Sequence, residues 1–92
     1  MLNNNATGKF TSAGTLAAVT VNIGFNPSAV YTWTDDKRVE FTADMTAGKG
    51  FSSGASSYAE LSSNGITLTD TGFIVGTSCQ KASAVCYWQA IR

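Results

Sequence analysis

Histidine does not occur in the 92-residue chain, and charged residues make up only 13% of it, six of them basic and six acidic. Without histidine, the serine–histidine and cysteine–histidine pairs of nucleophilic enzymes and the histidine ligands of metal sites are excluded. We therefore expect a protein that is not an enzyme and uses no metal or other cofactor. Six basic residues are also too few for the many phosphate contacts of a nucleic-acid interface, so we expect no nucleic-acid partner.

The sequence likewise lacks a long apolar run. Its apolar stretches fall far short of the roughly 20 residues that a membrane-spanning helix needs. The polar start, Met1 to Lys9, has neither the basic region nor the apolar segment of a signal peptide. We therefore expect synthesis in the cytoplasm and no membrane partner. With 43% apolar residues the chain is too apolar and too weakly charged to be disordered, so a single domain over residues 1–92 is expected.

Apolar and polar residues alternate in short segments that end at glycine, asparagine, aspartate or serine. This period of two is typical of β-strands, and amphipathic helical patterns are missing. The sequence predicts an all-β domain, a small antiparallel β-sandwich or a barrel-like (jelly-roll-like) fold. The last three strands are expected to form a three-stranded antiparallel meander. The predicted strands are residues 15–23, 29–34, 38–42, 58–61, 66–69, 73–76 and 85–91.

Three segments between the strands have a specific composition. The only proline, Pro27, ends a Gly-Phe-Asn-Pro stretch that predicts a corner, and Asn64-Gly65 predicts a tight turn. Residues 43–57 are rich in glycine and serine and predict a long loop of the kind that often forms contacts. The first residues, 1–12, are expected to form an extended N-terminal arm that reaches over a neighbouring molecule.

Cys79 and Cys86 are the only cysteines, too few for a zinc site. If residues 73–79 pair with residues 85–91, the two cysteines face each other across a hairpin at a separation that a disulfide accepts. Synthesis in a reducing compartment favours free thiols instead. The sequence leaves both states open. The adjacent pair Asp35 and Asp36 is interpreted as a solvated turn rather than as a calcium or catalytic pair.

The aromatic residues of the predicted strands allow two interpretations. Rings such as those of Tyr31 and Trp33 belong most often to a core or a subunit interface. The alternative is a platform on which sugars stack, formed by Tyr31, Trp33, Tyr87 and Trp88. The residues expected to form assembly contacts are Leu2, Phe10, Tyr31, Trp33, Phe51 and Trp88.

Three segments together show a recognisable pattern: Ile-Gly-Phe-Asn-Pro-Ser-Ala-Val at residues 23–30, Ser-Ser-Asn-Gly-Ile-Thr-Leu-Thr-Asp-Thr-Gly-Phe-Ile-Val-Gly at residues 62–76, and Tyr-Trp-Gln-Ala-Ile-Arg at residues 87–92. The arrangement resembles a group of small structural proteins and fibre domains of tailed bacteriophages. Their shared features are a Gly-Phe-x-Pro corner, a Ser-Asn-Gly-Ile-Thr hairpin and an aromatic C-terminal strand. The match spans the whole length as a pattern and is most specific in the last third.

The resemblance implies a non-enzymatic virion protein. A chain of this length without fibre repeats fits a capsid decoration (cement) protein that binds the outer surface of the phage head and stabilises it. The implied partners are further copies of the chain, in a homotrimer, and the major capsid protein. The implied location is the virion surface, after synthesis in the host cytoplasm. The alternative is a head-fibre or tail-fibre domain, or a module that binds host glycans through Tyr31 or Trp33 and the loop at residues 43–57.

Overall fold

The computed structural model describes residues 5–54 and 58–92, and within them the chain forms nine β-strands and one short 3₁₀ helix. The described helix, Thr77–Cys79, has three residues, so no described helix is long enough to cross a membrane. The strands are β1 (Asn5–Thr11), β2 (Val19–Asn22), β3 (Ala29–Trp33), β4 (Lys37–Thr42), β5 (Phe51–Gly54), β6 (Tyr58–Glu60), β7 (Ile66–Thr69), β8 (Gly72–Val75) and β9 (Val85–Ile91).

Two antiparallel sheets contain these strands. One has six strands in the order β1-β9-β3-β4-β5-β6, and the other has three in the order β2-β8-β7. The β3–β4 hairpin places Val30 opposite Phe41, and the β7–β8 hairpin places Leu68 opposite Phe73. The predicted all-β class and sandwich architecture are confirmed.

The core consists of the inward-facing residues of both sheets. In the six-stranded sheet, Val30 and Val39 are fully buried because every second residue of β3 and β4 points inward. In the three-stranded sheet, Phe73 is fully buried, and its ring meets the indole of Trp88 edge to face at 5.3 Å. The other buried members of the cluster are Phe41, Ile66, Val75, Cys79 and Ala90.

The predicted corner carries the chain from one sheet to the other. Gly24 has a φ of +86°, a conformation that glycine adopts without steric cost, and Phe25 is buried beside it. The Asn26 amide donates a hydrogen bond to the carbonyl of Thr69 at 2.6 Å. The chain thus leaves β2 in the small sheet and enters β3 in the large one.

The Asn64-Gly65 segment, predicted as a tight turn, is instead a bend that leads from β6 in the large sheet to β7 in the small one. Asn64 has a φ of +58°, which asparagine tolerates better than most residues. Gly65 lies so close to the carbonyl of Lys49 that a β-carbon has no room. This close approach connects the loop before β5 to the start of β7, where Lys49 bridges to Ile66.

The N-terminal region differs from the prediction. Asn5–Thr11, predicted as part of an arm on a neighbouring molecule, is strand β1, and it pairs along its whole length with β9 of the same chain. The inward side of β1 carries Ala6, Gly8 and Phe10, each partly buried, and Phe10 packs against the core. Leu2, the other predicted anchor, lies outside the described residues.

The predicted meander is wrong. The β7–β8 hairpin forms, but β9 does not continue it: β9 lies in the other sheet, between β1 and β3. Within the loop predicted at residues 43–57, Phe51–Gly54 forms β5 against β4, and residues 55–57 lie outside the described residues. The strand predicted at residues 15–23 corresponds to β2, which begins only at Val19. Residues 15–18 precede β2 without strand pairing.

Candidate binding face

The outward side of the six-stranded sheet carries a row of aromatic and cationic side chains. Strand pairing places Lys9 opposite Tyr87, Tyr87 opposite Trp33, and Trp33 opposite Arg38. We call these four residues the aromatic row. It crosses β1, β9, β3 and β4, and because directly opposed side chains in neighbouring strands are close, the four side chains form one continuous surface.

The two central rings of the aromatic row lie against each other. The centroids of Trp33 and Tyr87 are 6.1 Å apart, and their planes differ by only 20°. Tyr87 is 43% exposed, and Trp33 is half-buried. Beside them lies an open depression of about 380 Å³ that is lined by Thr7, Gly8, Lys9, Trp33, Tyr87 and Trp88.

Arg38 forms one end of the aromatic row and contacts two of the rings on this face. Its guanidinium carbon lies 5.4 Å from the centre of the Tyr31 ring and 5.8 Å from that of Trp33, within the range of cation–π attraction. The same side chain is 3.7 Å from the carboxylate of Glu40. Both ion-pair partners are exposed to solvent, so the pair fixes orientation more than it stabilises the fold.

Lys9 closes the other end of the aromatic row. Its side chain makes no hydrogen bond or ion pair with the residues that the structure describes. Glu40, on β4 of the same face, is engaged by Arg38. The depression therefore has one unpaired cation at its rim and two aromatic rings at its side.

A second aromatic group lies at the far edge of the same sheet. Phe51 and Tyr58 stack with a centroid distance of 5.5 Å, and Tyr58 is 63% exposed. Lys49 and Glu60 form a weak surface ion pair beside them at 4.0 Å. The outer face thus carries two aromatic groups, separated by the charged side chains of β4.

The predicted assembly contacts divide between the two sides of the sheet. Tyr31, Trp33 and Phe51 lie on the outer face, where each is half-buried. Phe10 and Trp88 lie on the inner side and pack against the core. The outer face therefore carries three of the predicted residues, with Phe51 apart from Tyr31 and Trp33, and the other two lie in the interior of the sandwich.

Sequence reasoning missed Thr7 and Lys9 as members of this face. Their alternation with inward residues is the only available signal, and it is weak because the inward position between them is Gly8. Tyr87 was named as an aromatic candidate, but the pattern within β9 does not identify Trp33 as its neighbour. That neighbour relationship comes from the pairing of β9 with β3.

Cys79 and Cys86 are free thiols, and both are fully buried. The hairpin expected to bring them face to face does not form: Cys79 ends the 3₁₀ helix, and Cys86 is paired with Phe10 on β1. Burial raises the pKa of Cys79 to about 12 and that of Cys86 to about 11. These thiols are protonated at neutral pH and behave as small apolar core residues.

The Asp35-Asp36 pair lies at the turn between β3 and β4. The hydroxyl of Thr34 donates to Asp36 at 2.7 Å, and this hydrogen bond lowers the pKa of the Asp36 carboxyl. Asp35 forms an exposed ion pair with Lys81 at 3.0 Å. The described residues contain no group of three side chains suited to a metal ion.

Three comparisons test whether these features recur in other proteins. No family model, curated protein sequence or solved structure matches the chain.

Proposed function

We propose that this chain is a non-enzymatic structural protein of a tailed-phage virion, and specifically a capsid decoration protein. It binds the outside of the head as a homo-oligomer, a trimer in the simplest arrangement, and contacts the major capsid protein. Two lines of reasoning support the proposal. The first is the resemblance in the sequence of the corner, the hairpin and the C-terminal strand. The second is an open sheet edge that is suited to joining one chain to another.

The edge strand β1 is the observation on which this proposal rests. It has seven residues and pairs with β9 on one side without a bulge. Within the part of the chain that the structure describes, no strand pairs with its other side. A long unpaired edge exposes backbone donors and acceptors that a strand from another molecule can engage.

The hydrogen-bond pattern identifies which groups face outward. The Ser12 amide donates a hydrogen bond to the carbonyl of Ala84 at 2.9 Å. The neighbouring pair, Thr11 and Val85, is therefore a non-hydrogen-bonded pair. By alternation, residues 6, 8 and 10 direct their backbone groups toward β9. The backbone N–H and C=O groups of the odd-numbered residues point away from it: Asn5, Thr7, Lys9 and Thr11.

A decoration protein needs contacts of this kind. A neighbouring copy that adds a strand to β1 gains several backbone hydrogen bonds, with little dependence on side chains. If the strand comes from a different surface of the next copy, the contact is heterologous, and three such contacts close a ring. Rings fixed at the lattice positions of a capsid connect its subunits and resist internal pressure.

The test uses virions of the encoding phage from which the chain is deleted. Purified wild-type protein, Thr7→Pro and Thr7→Ala are added back, and bound protein and DNA retention after heating and chelation are measured. Proline at residue 7 removes an outward N–H and no bond to β9. Wild-type protein and Thr7→Ala are expected to bind the heads and restore DNA retention, whereas Thr7→Pro is expected to do neither.

Two results would contradict the proposal. Heads that bind no wild-type protein, or that retain DNA equally with and without it, overturn the decoration role. Full activity of Thr7→Pro overturns the role of β1. Light scattering of the purified protein gives the oligomeric state, and a monomer at all concentrations overturns the trimer.

A further inference from the structure

The depression beside Trp33 and Tyr87 has the features of a ligand site. Its volume of about 380 Å³ lies within the range of roughly 300–1,000 Å³ that small-ligand sites occupy. It is formed by three adjacent strands, β1, β9 and β3, so its shape is set by the sheet. The depression is also open to solvent, so a chain-like ligand can extend beyond it.

Charged groups flank the aromatic rings of this face. Here, Lys9 stands at one end of the aromatic row, and the Arg38–Glu40 ion pair stands at the other. Rings interleaved with polar groups suit a ligand that presents both C–H and hydroxyl groups.

Carbohydrates have this combination of groups. The C–H face of a pyranose ring stacks on an aromatic ring, while its hydroxyls bond to neighbouring polar side chains. Trp33 and Tyr87 both line the depression, and Tyr87 is 43% exposed, so aromatic surface is available there. Thr7 and Lys9, which also line the depression, supply a hydroxyl and an ammonium group.

The charge of the rim selects among carbohydrates. Lys9 has no ion-pair partner among the described residues, and no acidic side chain lines the depression. A sugar carboxylate placed there gains a charge-assisted hydrogen bond from the ammonium group. A neutral sugar leaves the cation unpaired.

We infer that the depression formed by Trp33, Tyr87, Thr7 and Lys9 binds a carboxylated carbohydrate, with a sugar ring on the aromatic side chains and its carboxylate on Lys9. These four residues lie on the outer face of the sheet, and the inference does not depend on the virion role. The β1 edge groups proposed for assembly lie in the plane of the sheet, so one site can be present without the other.

The experiment measures binding of the full-length chain to three oligosaccharides of matched length by isothermal titration calorimetry. Oligogalacturonate and oligosialate carry carboxylates, and oligomaltose is neutral. At least one carboxylated oligosaccharide is expected to bind, more tightly than oligomaltose and less tightly as salt increases. Trp33→Ala and Lys9→Gln are each expected to weaken that binding about tenfold or more.

Two control variants lie on the same face but outside the depression. Tyr58→Ala removes a more exposed ring, and Lys49→Gln removes one lysine charge at the far edge of the sheet. Both are expected to bind as the wild type does. Circular dichroism confirms that each variant is folded, so a loss of binding is assigned to the site.

Four outcomes would overturn the inference. The first is that neither carboxylated oligosaccharide binds, and the second is that oligomaltose binds equally well. The third is equal weakening by Lys49→Gln and Lys9→Gln, which indicates non-specific attraction to a polyanion. The fourth is a change of oligomeric mass in Trp33→Ala, which indicates that the aromatic row is a contact between copies of the chain.

Discussion

The indole ring of Trp88 lies directly over the α-carbon of Gly8, the residue paired with it across β1 and β9. An added β-carbon at Gly8 is within 2.8 Å of the indole Cε2 atom and 3.1 Å of its Nε1 atom. The same indole contacts Phe73 in the opposite sheet. The missing side chain of Gly8 therefore lets one ring connect the edge strand to the core.

A Gly8→Ala substitution is expected to destabilise the fold by about 1–3 kcal/mol, the usual cost of inserting a methyl group into a packed site. The ring must move to admit the methyl group, which disturbs its contact with Phe73. Urea unfolding followed by tryptophan fluorescence measures the change. Gly14→Ala is the matched control, because its nearest neighbour, the Ser83 hydroxyl, is at an ordinary 3.5 Å. Equal stability of Gly8→Ala and Gly14→Ala would show that the indole is free to move.

Gln80 ties the segment before β2 to the end of β8. It is 2% exposed, and its amide nitrogen lies 2.8 Å from the carbonyl of Ala17 and 3.1 Å from that of Val75. Gln80→Leu removes this donor and leaves buried carbonyls without it, so we expect a loss of about 1–3 kcal/mol in the free energy of unfolding. Thermal or urea denaturation measures the loss.

Gln89→Leu is the control for that substitution. The Gln89 amide makes only a long, exposed bond of 3.4 Å to Asn5, and we expect a change within about 0.5 kcal/mol. If the two substitutions have equal effects, the buried position of Gln80 gives its amide no special role.

Where a local pattern contains large apolar residues on one side, the sequence predicts the strand well. Residues 85–91 were predicted as a strand, and β9 has the same bounds. Strand β1 was missed because only one of its inward residues, Phe10, is large. Strand β5 was missed because Phe51 is followed by two serines and a glycine. Small inward residues produce little amphipathic contrast.

A local sequence pattern does not determine which sheet a strand joins or which of its two faces is buried. Strand β9 joins β1 and β3, which are distant in sequence, and no turn specifies that pairing. In β3, the alternation correctly separates Tyr31 and Trp33 from Val30 and Thr32. It does not reveal that the side with Thr32 is buried, whereas the aromatic side faces outward, where Arg38 and Tyr87 cover it in part.

Gly72 marks a close approach between β2 and β8. An added β-carbon there collides with the Val21 carbonyl oxygen and lies 2.9 Å from its carbon. Since the obstacle is backbone, it cannot rotate away as a side chain can. We expect Gly72→Ala to cost about 2–3 kcal/mol, and hydrogen exchange to show loss of protection in β2. Unchanged protection of Val21 and its neighbours would contradict this explanation.

The two buried thiols predict a loss of stability at alkaline pH. Burial raises the pKa of Cys79 to about 12 and of Cys86 to about 11, from an ordinary value of 9.0. Above pH 9 the unfolded chain loses thiol protons that the folded chain keeps. The free energy of unfolding is therefore expected to fall by up to about 1.4 kcal/mol per pH unit for each thiol, until the pH reaches the folded pKa.

Urea unfolding between pH 7 and pH 11 under reducing conditions measures this slope. Cys86→Ala removes one of the two titrating groups, so its slope above pH 9 is expected to be shallower than that of the wild type, even if its stability at pH 7 is lower. The two proteins differ only at residue 86, so the contribution of all other groups cancels in the difference between slopes. Parallel curves for the two proteins would mean that the folded structure leaves the Cys86 thiol accessible to water, contrary to its burial.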